Sequence, residues 1–443
     1  MEPTLKEILD AREARVEKQK ALLAEFQKPL LCFTMNIPGP EKYNRDVSVA
    51  FHLGDRMLCR ELQKVPVLHR ELHRKATGCE GYYIVDLPAA DLKCLAVDIE
   101  ESESIGRLFD MDVLDVDGRK LSREELGLPR RQCLICQKDA AICASTRAHG
   151  LEALLDRTGF LLYVAGRSAL AEYIAAQAYS ALLLELVTTP KPGLVDRNNN
   201  GAHTDMEQKH FLASAIALRP FFCRMAETGF LTRDLPPEET FRKIRAIGLD
   251  AENAMLGATR GVNTHKGAIF SIGLMCAAAG RTDPAGWTAS VLCKVCSDMV
   301  KGIVARELGG VTPVTAKTSG EKFYALYGVT GARGQAENGF PAVLNVGLPR
   351  LQEGLAQGMG LADAGCAVLL HLIAAQDDTN LIHRGSREIQ LQLRQQIGSL
   401  LEKTPFPSQE QLLELDRQLI EKNLSPGGSA DLLALTYLLH LLT

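Results

Sequence analysis

Asp110 and Asp112 stand two residues apart in GRLFDMD (106–112), and a strand puts residues so spaced on one face. Two carboxylates on one face can share Mg2+, as where a polyphosphate is neutralised for in-line attack. A solvated strand face, with Phe109, Met111 and Val113 packed behind it, is the other reading. Cys133, Cys136, Cys143 and His149 offer four soft donors over a short stretch, a set able to hold Zn2+ tetrahedrally. Buried thiols beside a surface histidine are the other reading, which the spacing favours because it fits no standard zinc finger.

Chemistry in the second half of the chain concentrates in four Gly/Asp/Asn-rich blocks: 191–206, 261–271, 331–341 and 425–431. The first, KPGLVDRNNNGAHTDM, holds Lys191, Asp196, Arg197, His203 and Asp205. Its lysine and arginine suit phosphate, and Asp196 or Asp205 suits Mg2+ or a general base. A turn with Thr204 or Asp205 as a helix cap accounts for only one or two of the five. His265 and Lys266 lie in a Gly-flanked turn before an apolar helix, where free N–H groups and the helix dipole favour anions. Gly427, Gly428 and Ser429 open the last helix in a similar way, with Asp431 expected in its first turn. Arg333, Glu337 and the pair Asp377–Asp378 complete the set. Adjacent acids at the end of an apolar helix are costly unless solvated or metal-bound, and a Mg2+–polyphosphate site uses them. Two phosphate-handling sites suggest two consecutive reactions on one nucleotide-like intermediate.

The elements expected to position these residues fall into two kinds. Residues 4–27 predict a helix stopped before Pro29, and 30–36, 81–87, 92–100 and 106–116 predict strands. Residues 1–160 therefore form an α+β unit with a small mixed sheet. From 166 to 443 the expectation is all-α, with helices over 168–187, 207–227, 237–260, 286–307, 361–376, 409–423 and 430–442 separated by the blocks above. The boundary falls near 158–168.

Bulk properties narrow the class. With 443 residues, two to three domains are expected. A 46% hydrophobic and 23% charged composition is globular. The net charge of −4 gives no field for nucleic acid. No signal-like segment and no run of eighteen apolar residues is evident, so no membrane association is expected. The twelve cysteines suit a reducing cytoplasm. Serine-elbow, zinc-protease and dinucleotide fingerprints are missing from the sequence.

Two resemblances account for these patterns. Residues 1 to about 160 resemble the citrate lyase holo-acyl-carrier-protein synthase family (apo-citrate lyase phosphoribosyl-dephospho-CoA transferase), through PLLCFTMNIPGP, DLKCLAVDIE, GRLFDMDVLD, LSREELGLPRRQCLIC and the Cys143–His149 tail. Residues from about 166 onward resemble triphosphoribosyl-dephospho-CoA synthase, through TPKPGLVDRNNNGAHTDM, GVNTHKGAIFS, YGVTGARGQAENGFP, DTNLIHRG and SPGGSADLLA. Ser386 departs from a glycine usual in that family.

The resemblance implies a bifunctional fusion. Its C-terminal unit would join ATP to 3′-dephospho-CoA and release adenine. Its N-terminal unit would transfer phosphoribosyl-dephospho-CoA to a serine of the apo acyl carrier subunit of citrate lyase and release pyrophosphate. Catalysis would then fall to Asp110, Asp112, Asp196, His203, Asp205 and Glu337. Phosphate binding would fall to Lys191, Arg197, His265, Lys266, Arg333, Gly427, Gly428 and Ser429. Mg2+ would sit on Asp110, Asp112, Asp377 and Asp378, and Zn2+ on the Cys/His set. Rival readings are the matching maturation enzyme of malonate decarboxylase, a non-catalytic nucleotide-binding chaperone of the carrier, and a zinc-bearing interaction module at 133–149.

Overall fold

The computed structural model describes residues 2–102 and 104–443. It divides into two compact units, Met1–Leu170 with Asp283–Ala285, and Ala171–Thr282 with Gly286–Thr443.

The first unit runs α1 (Leu5–Phe26), β1 (Leu30–Met35), α2 (Arg45–Glu61), β2 (Val67–Lys75), β3 (Gly78–Val85), α3 (Ala89–Ser102), β4 (Phe109–Leu114), α4 (Ala140–Ser145) and α5 (Leu151–Phe160). Its four strands pair in the order β2-β3-β1-β4. Every pairing is antiparallel, so the sheet is not mixed. Residues facing each other across strands share a face. Leu30, Cys32 and Thr34 thus line up with Ile84, Tyr82 and Glu80 on one side and Leu114, Asp112 and Asp110 on the other. Leu22, Leu23 and Phe26 of α1 pack on this face. Leu31, Phe33, Tyr83, Met111 and Val113 form the reverse face, buried with Val47, Phe51 and Leu58 of α2 and Leu92, Ala96 and Ile99 of α3.

Two sequence expectations fail here for identifiable reasons. Residues 92–100 are helical, although β-branched residues suggested a strand. Leu92, Ala96 and Ile99 recur at helical spacing and are buried, whereas Cys94 is exposed, so the 3.6-residue period decides. Strand β2, VLHRELHRK, carries too little apolar patterning to have been predicted, because as an edge strand it remains mostly accessible.

The second unit is helical: α6 (Gly166–Val187), α7 (Gln208–Leu231), α8 (Pro237–Ala258), α9 (Lys266–Arg281), α10 (Ala289–Met299), α11 (Ile303–Leu308), α12 (Ser319–Tyr327), α13 (Gly331–Glu337), α14 (Leu348–Ala356), α15 (Leu361–Ala375), α16 (Thr379–Arg384), α17 (Arg387–Lys403), α18 (Gln409–Glu421) and α19 (Gly427–Leu442). The expected helix 286–307 is broken between α10 and α11, where Gly302 takes φ 73°. Block 331–341, expected as a loop, opens with α13. Helix α7 is capped by Glu207, not by Thr204 or Asp205. Ser386 caps α17, its hydroxyl accepting from Ile389 N at 3.2 Å, a role glycine could not fill.

Leu151–Val187 is long and apolar enough to cross a membrane by length and composition, which the sequence reading did not anticipate. Many of its apolar residues, including Leu161, Leu170, Ile174, Ala178 and Leu182, are packed inside the protein, as in a core helix.

Candidate active sites

The strand β4 alternates as its sequence requires. Phe109, Met111 and Val113 are buried while Asp110 and Asp112 share the other, partly open face. Each carboxylate meets a cation: Asp112 Oδ1 lies 2.6 Å from Lys120 Nζ, and Asp110 Oδ1 lies 3.4 Å from Arg131 Nη1. Arg131 is fixed by donating to the carbonyls of Arg107 (2.9 Å) and Phe109 (2.6 Å). The face therefore presents two hard oxygen ligands able to take Mg2+ and two cations able to take phosphate oxygens.

In the helical unit, the blocks 191–206, 261–271 and 425–431 fold around one cavity of about 430 Å3. Lys191 is buried and ion-paired to Glu185 of α6. His265 caps the start of α9 and is also buried. Its Nδ1 lies 2.7 Å from Ser214 Oγ, and its Nε2 has no hydrogen-bond partner among the described residues. A buried orphan nitrogen at a cavity wall is a place for a ligand. Burial, then the Lys191 charge, pushes its pKa down to about 3, so the imidazole is neutral near pH 7. His203 also lines the cavity, held 2.8 Å from both Ser425 Oγ and Arg384 Nη2. Desolvation, then Arg384, lowers its pKa to about 4.

Asp431 lines the same cavity. It lies in the second turn of α19, because the helix starts at Gly427 and not behind the two glycines. Desolvation, then the Asp378 and Glu185 charges, hold its carboxyl well above the usual carboxylate range, against a hydrogen bond from the Ala268 backbone. Gly267 leaves room for it: a Cβ there would come within 2.0 Å of Asp431 Oδ2. Gly267→Ala is accordingly expected to displace Asp431 and cost about 1–3 kcal/mol, seen as a lower melting temperature. Gly398→Ala, in open space within α17, should instead stabilise by about 0.5–1 kcal/mol.

A second cavity of about 660 Å3 shares Asn263, Lys266, Gly267, Ala332, Thr379, Asn380 and His383 with the first. Apolar residues such as Phe241, Leu249, Phe270 and Ile303 line it together with Arg333 and Glu307. Lys266 pairs with Glu252 (2.9 Å) and Arg333 with Glu307 (2.7 Å).

Other candidates have structural work. Asp196 accepts backbone N–H bonds from Lys191, Asn198 and Asn199 and shapes its loop. Arg197 and Asp205 are exposed and outside the cavity lining. Glu337 accepts from Val304 N at 3.2 Å in the first turn of α11, also away from both cavities. Asp377 reaches the cavity but is held by Arg387 (2.6 Å) and Arg394 (2.7 Å). Asp378 caps α16 through Asn380 N and Leu381 N and accepts from Ser429 N and Oγ. Both oxygens of Asp378 are thus engaged, whereas the two arginines meet Asp377 on Oδ1. Gly427 and Gly428 line the cavity, and a Cβ on Gly428 would sit 3.2 Å from the Asp378 carboxylate.

Sequence reasoning passed over Glu185, Arg384, Asn380 and Ser425, which line the cavity. It passed over Asp416 too, which holds the 193–199 loop through Gly193 N (2.9 Å) and Asn199 Nδ2 (2.7 Å). DTNLIHRG contained two of these, Asn380 and Arg384, but their partners are distant in sequence.

The neutral histidines set an acid limit. Between pH about 6.5 and 3 the unfolded chain carries a proton on His265 that the folded chain refuses, so stability falls as pH drops through this window. Each unit is worth at most about 1.4 kcal/mol. Denaturant midpoints at pH 7.5 and 5.0 should show this loss, and His265→Gln should flatten it.

Comparison with known proteins places both units. Residues 171–443 match the model of CitG, ATP:dephospho-CoA triphosphoribosyl transferase. Residues 3–162 match CitX, apo-citrate lyase phosphoribosyl-dephospho-CoA transferase. Protein CitXG of Haemophilus influenzae is 36% identical over 98% of this chain and 95% of its own length. Protein CitXG of Leuconostoc mesenteroides subsp. cremoris is 34% identical over 98% and 96%. The 2-(5''-triphosphoribosyl)-3'-dephosphocoenzyme-A synthase of Pectobacterium atrosepticum is 42% identical over 64% of this chain and 96% of its own.

Proposed function

Because this chain belongs to both the CitX and CitG families, and so is a bifunctional transferase of citrate lyase prosthetic-group synthesis, we propose that its helical unit makes the group and its sheet-containing unit attaches it. The observation that carries this reading is the cavity of the helical unit, lined by Lys191, Glu185, Asp431 and a buried His265 whose Nε2 has no partner among the described residues.

In the first reaction the 2′-hydroxyl of dephospho-CoA attacks the ribose C1 of ATP as its bond to adenine breaks. The transition state is oxocarbenium-like and gains from nearby carboxylate charge, which Glu185 supplies. Adenine leaves more readily when protonated. Asp431, which keeps its proton well above the usual carboxylate range, is placed to donate it. Neutral His265, whose Nε2 has no partner among the described residues, takes the proton of the attacking hydroxyl. Lys266, which lines both cavities, and Arg333 of the second hold the triphosphate, which survives the reaction, while Lys191 stays paired with Glu185.

In the second reaction a serine hydroxyl of the apo acyl carrier attacks the phosphorus next to ribose, and pyrophosphate leaves. Mg2+, when bound by Asp110 and Asp112, would neutralise charge on the pyrophosphate. Lys120 and Arg131 would steady the remaining oxygens. Free thiols at all twelve cysteines suit a cytoplasmic setting for both steps.

The test is incubation of the purified chain with ATP, Mg2+ and dephospho-CoA. Adenine should form only when both nucleotides are present, and apo carrier added next should gain the mass of the prosthetic group. ATP turning over to ADP or AMP, or tight ATP binding without adenine, would sink the assignment. Offering the citrate lyase and malonate decarboxylase carriers side by side fixes the acceptor.

A further inference from the structure

The proposed reactions leave one constellation unused. Cys133, Cys136, Cys143 and His149 converge so that their ligating atoms all lie within 4.8 Å of one another. Tetrahedral zinc with Zn–S bonds of about 2.3 Å separates its sulfurs by roughly 3.8 Å. Cys136 Sγ already lies 3.5 Å from Cys143 Sγ and 3.2 Å from His149 Nε2. All three cysteines are free thiols, and the 3.5 Å separation is far from the roughly 2.05 Å of a disulfide.

The backbone is shaped for this convergence. Between Cys133 and Cys136 the chain turns tightly: Gln137 N donates to Cys133 O at 3.3 Å, and Cys133 N donates to Lys138 O at 2.6 Å. Ile135 N points at Cys133 Sγ at 3.5 Å, an N–H directed at sulfur. Cys143 is delivered by α4, and Arg147 then turns the chain back towards His149. Gln137 and Arg147 both adopt left-handed conformations, with φ 61° and 48°, which non-glycine residues hold only when their surroundings impose it. Little apolar packing does so. Within the segment Cys133 and Cys143 are buried and Leu134 packs partly on the core, while Ile142 is exposed. A stretch with so small a core needs a cross-link.

We propose that Cys133, Cys136, Cys143 and His149 bind one Zn2+ as a structural site that holds the 133–149 segment together beside Arg131, the residue that reaches strand β4. Three thiols and an imidazole select a soft metal over Mg2+, and four protein ligands leave no open position for catalysis. Binding releases the three thiol protons to solvent. Arg131, just ahead of that segment, reaches the carbonyls of Arg107 and Phe109 and the carboxylate of Asp110. In return Arg107 Nη2 donates to Gln132 O (2.7 Å) and Cys133 O (3.3 Å).

The test uses the full chain, purified without a metal-binding tag and assayed by elemental analysis. Wild type should carry one zinc per chain, Cys143→Ser and Cys136→Ser should lose it, and Cys94→Ser, at an exposed thiol, should keep it. Stripping zinc from wild type with a chelator should speed tryptic cleavage at Arg130, Arg131 and Lys138 by at least about tenfold, as expected when binding energy is folding energy, and adding zinc back should restore resistance. Because this arm uses unmutated protein, misfolded variants cannot decide the result. Metal-free wild type with its thiols reduced, iron in place of zinc, a Cys136–Cys143 disulfide, or zinc equally retained by Cys143→Ser would each overturn the proposal.

Discussion

Asp112→Ala is expected to lower transfer to the apo carrier by about 10²–10³-fold or more, with adenine formation from ATP and dephospho-CoA unchanged. Asp112 sits in the middle of β4, opposite Cys32 in the ladder. Alanine keeps that backbone pairing and removes only the carboxylate facing Lys120 at 2.6 Å. Both partners are substantially exposed, and such pairs contribute about 0–1 kcal/mol to stability. A large loss of transfer with a small change in melting temperature would therefore report chemistry. Supplying preformed triphosphoribosyl-dephospho-CoA isolates the step. Asp110→Ala should act alike, with Arg131 still held by the carbonyls of Arg107 and Phe109. If Asp112→Ala abolished adenine formation as well, or left transfer intact, the division of the two reactions would be wrong.

Part of this architecture was legible in residue order alone. The alternation of FDMDVL fixed which side of β4 carries the aspartates, because a strand has a period of two and its apolar residues must face the core. The Cys/His spacing likewise placed four donors close together. Less legible was anything that depends on a partner far along the chain. Asp378 resembled a metal ligand beside Asp377, yet it is used by Ser429 from α19. Lys191 resembled a free phosphate grip, yet it is buried against Glu185, a residue inside an Ala/Leu-rich helix with no local motif. Asp416 supports the first block from α18 through Gly193 and Asn199, and nothing in QLLELDRQLIE separates it from an ordinary helix surface acid. Composition also misjudged α3, where period outweighed β propensity. Local chemistry marks the loops that form a site, whereas tertiary packing decides which of their acids remain available.

Asp431→Asn tests that availability most directly, because activity and stability should move in opposite directions. Adenine formation should fall by about 10²–10⁴-fold, the usual worth of a general acid. Stability at neutral pH should hold or rise. The folded pKa of Asp431 is raised, by desolvation first and then by Asp378 and Glu185. Above pH about 3.9 the unfolded chain ionises this carboxyl while the folded chain retains its proton, so wild-type stability declines as pH rises towards the folded pKa. Asparagine is neutral in both states and escapes that decline, and its carbonyl can still accept from Ala268 N. The variant should thus melt higher than wild type at pH 7.5, and the difference should vanish near pH 4. Wild-type turnover should in turn fall as pH rises through the folded pKa, a limb that no other position would remove in this way. An Asp431→Asn chain that is inactive but destabilised at pH 7.5 would mark the residue as a packing element. One that turns over normally would remove it from the chemistry and leave protonation of adenine to another group lining the same cavity.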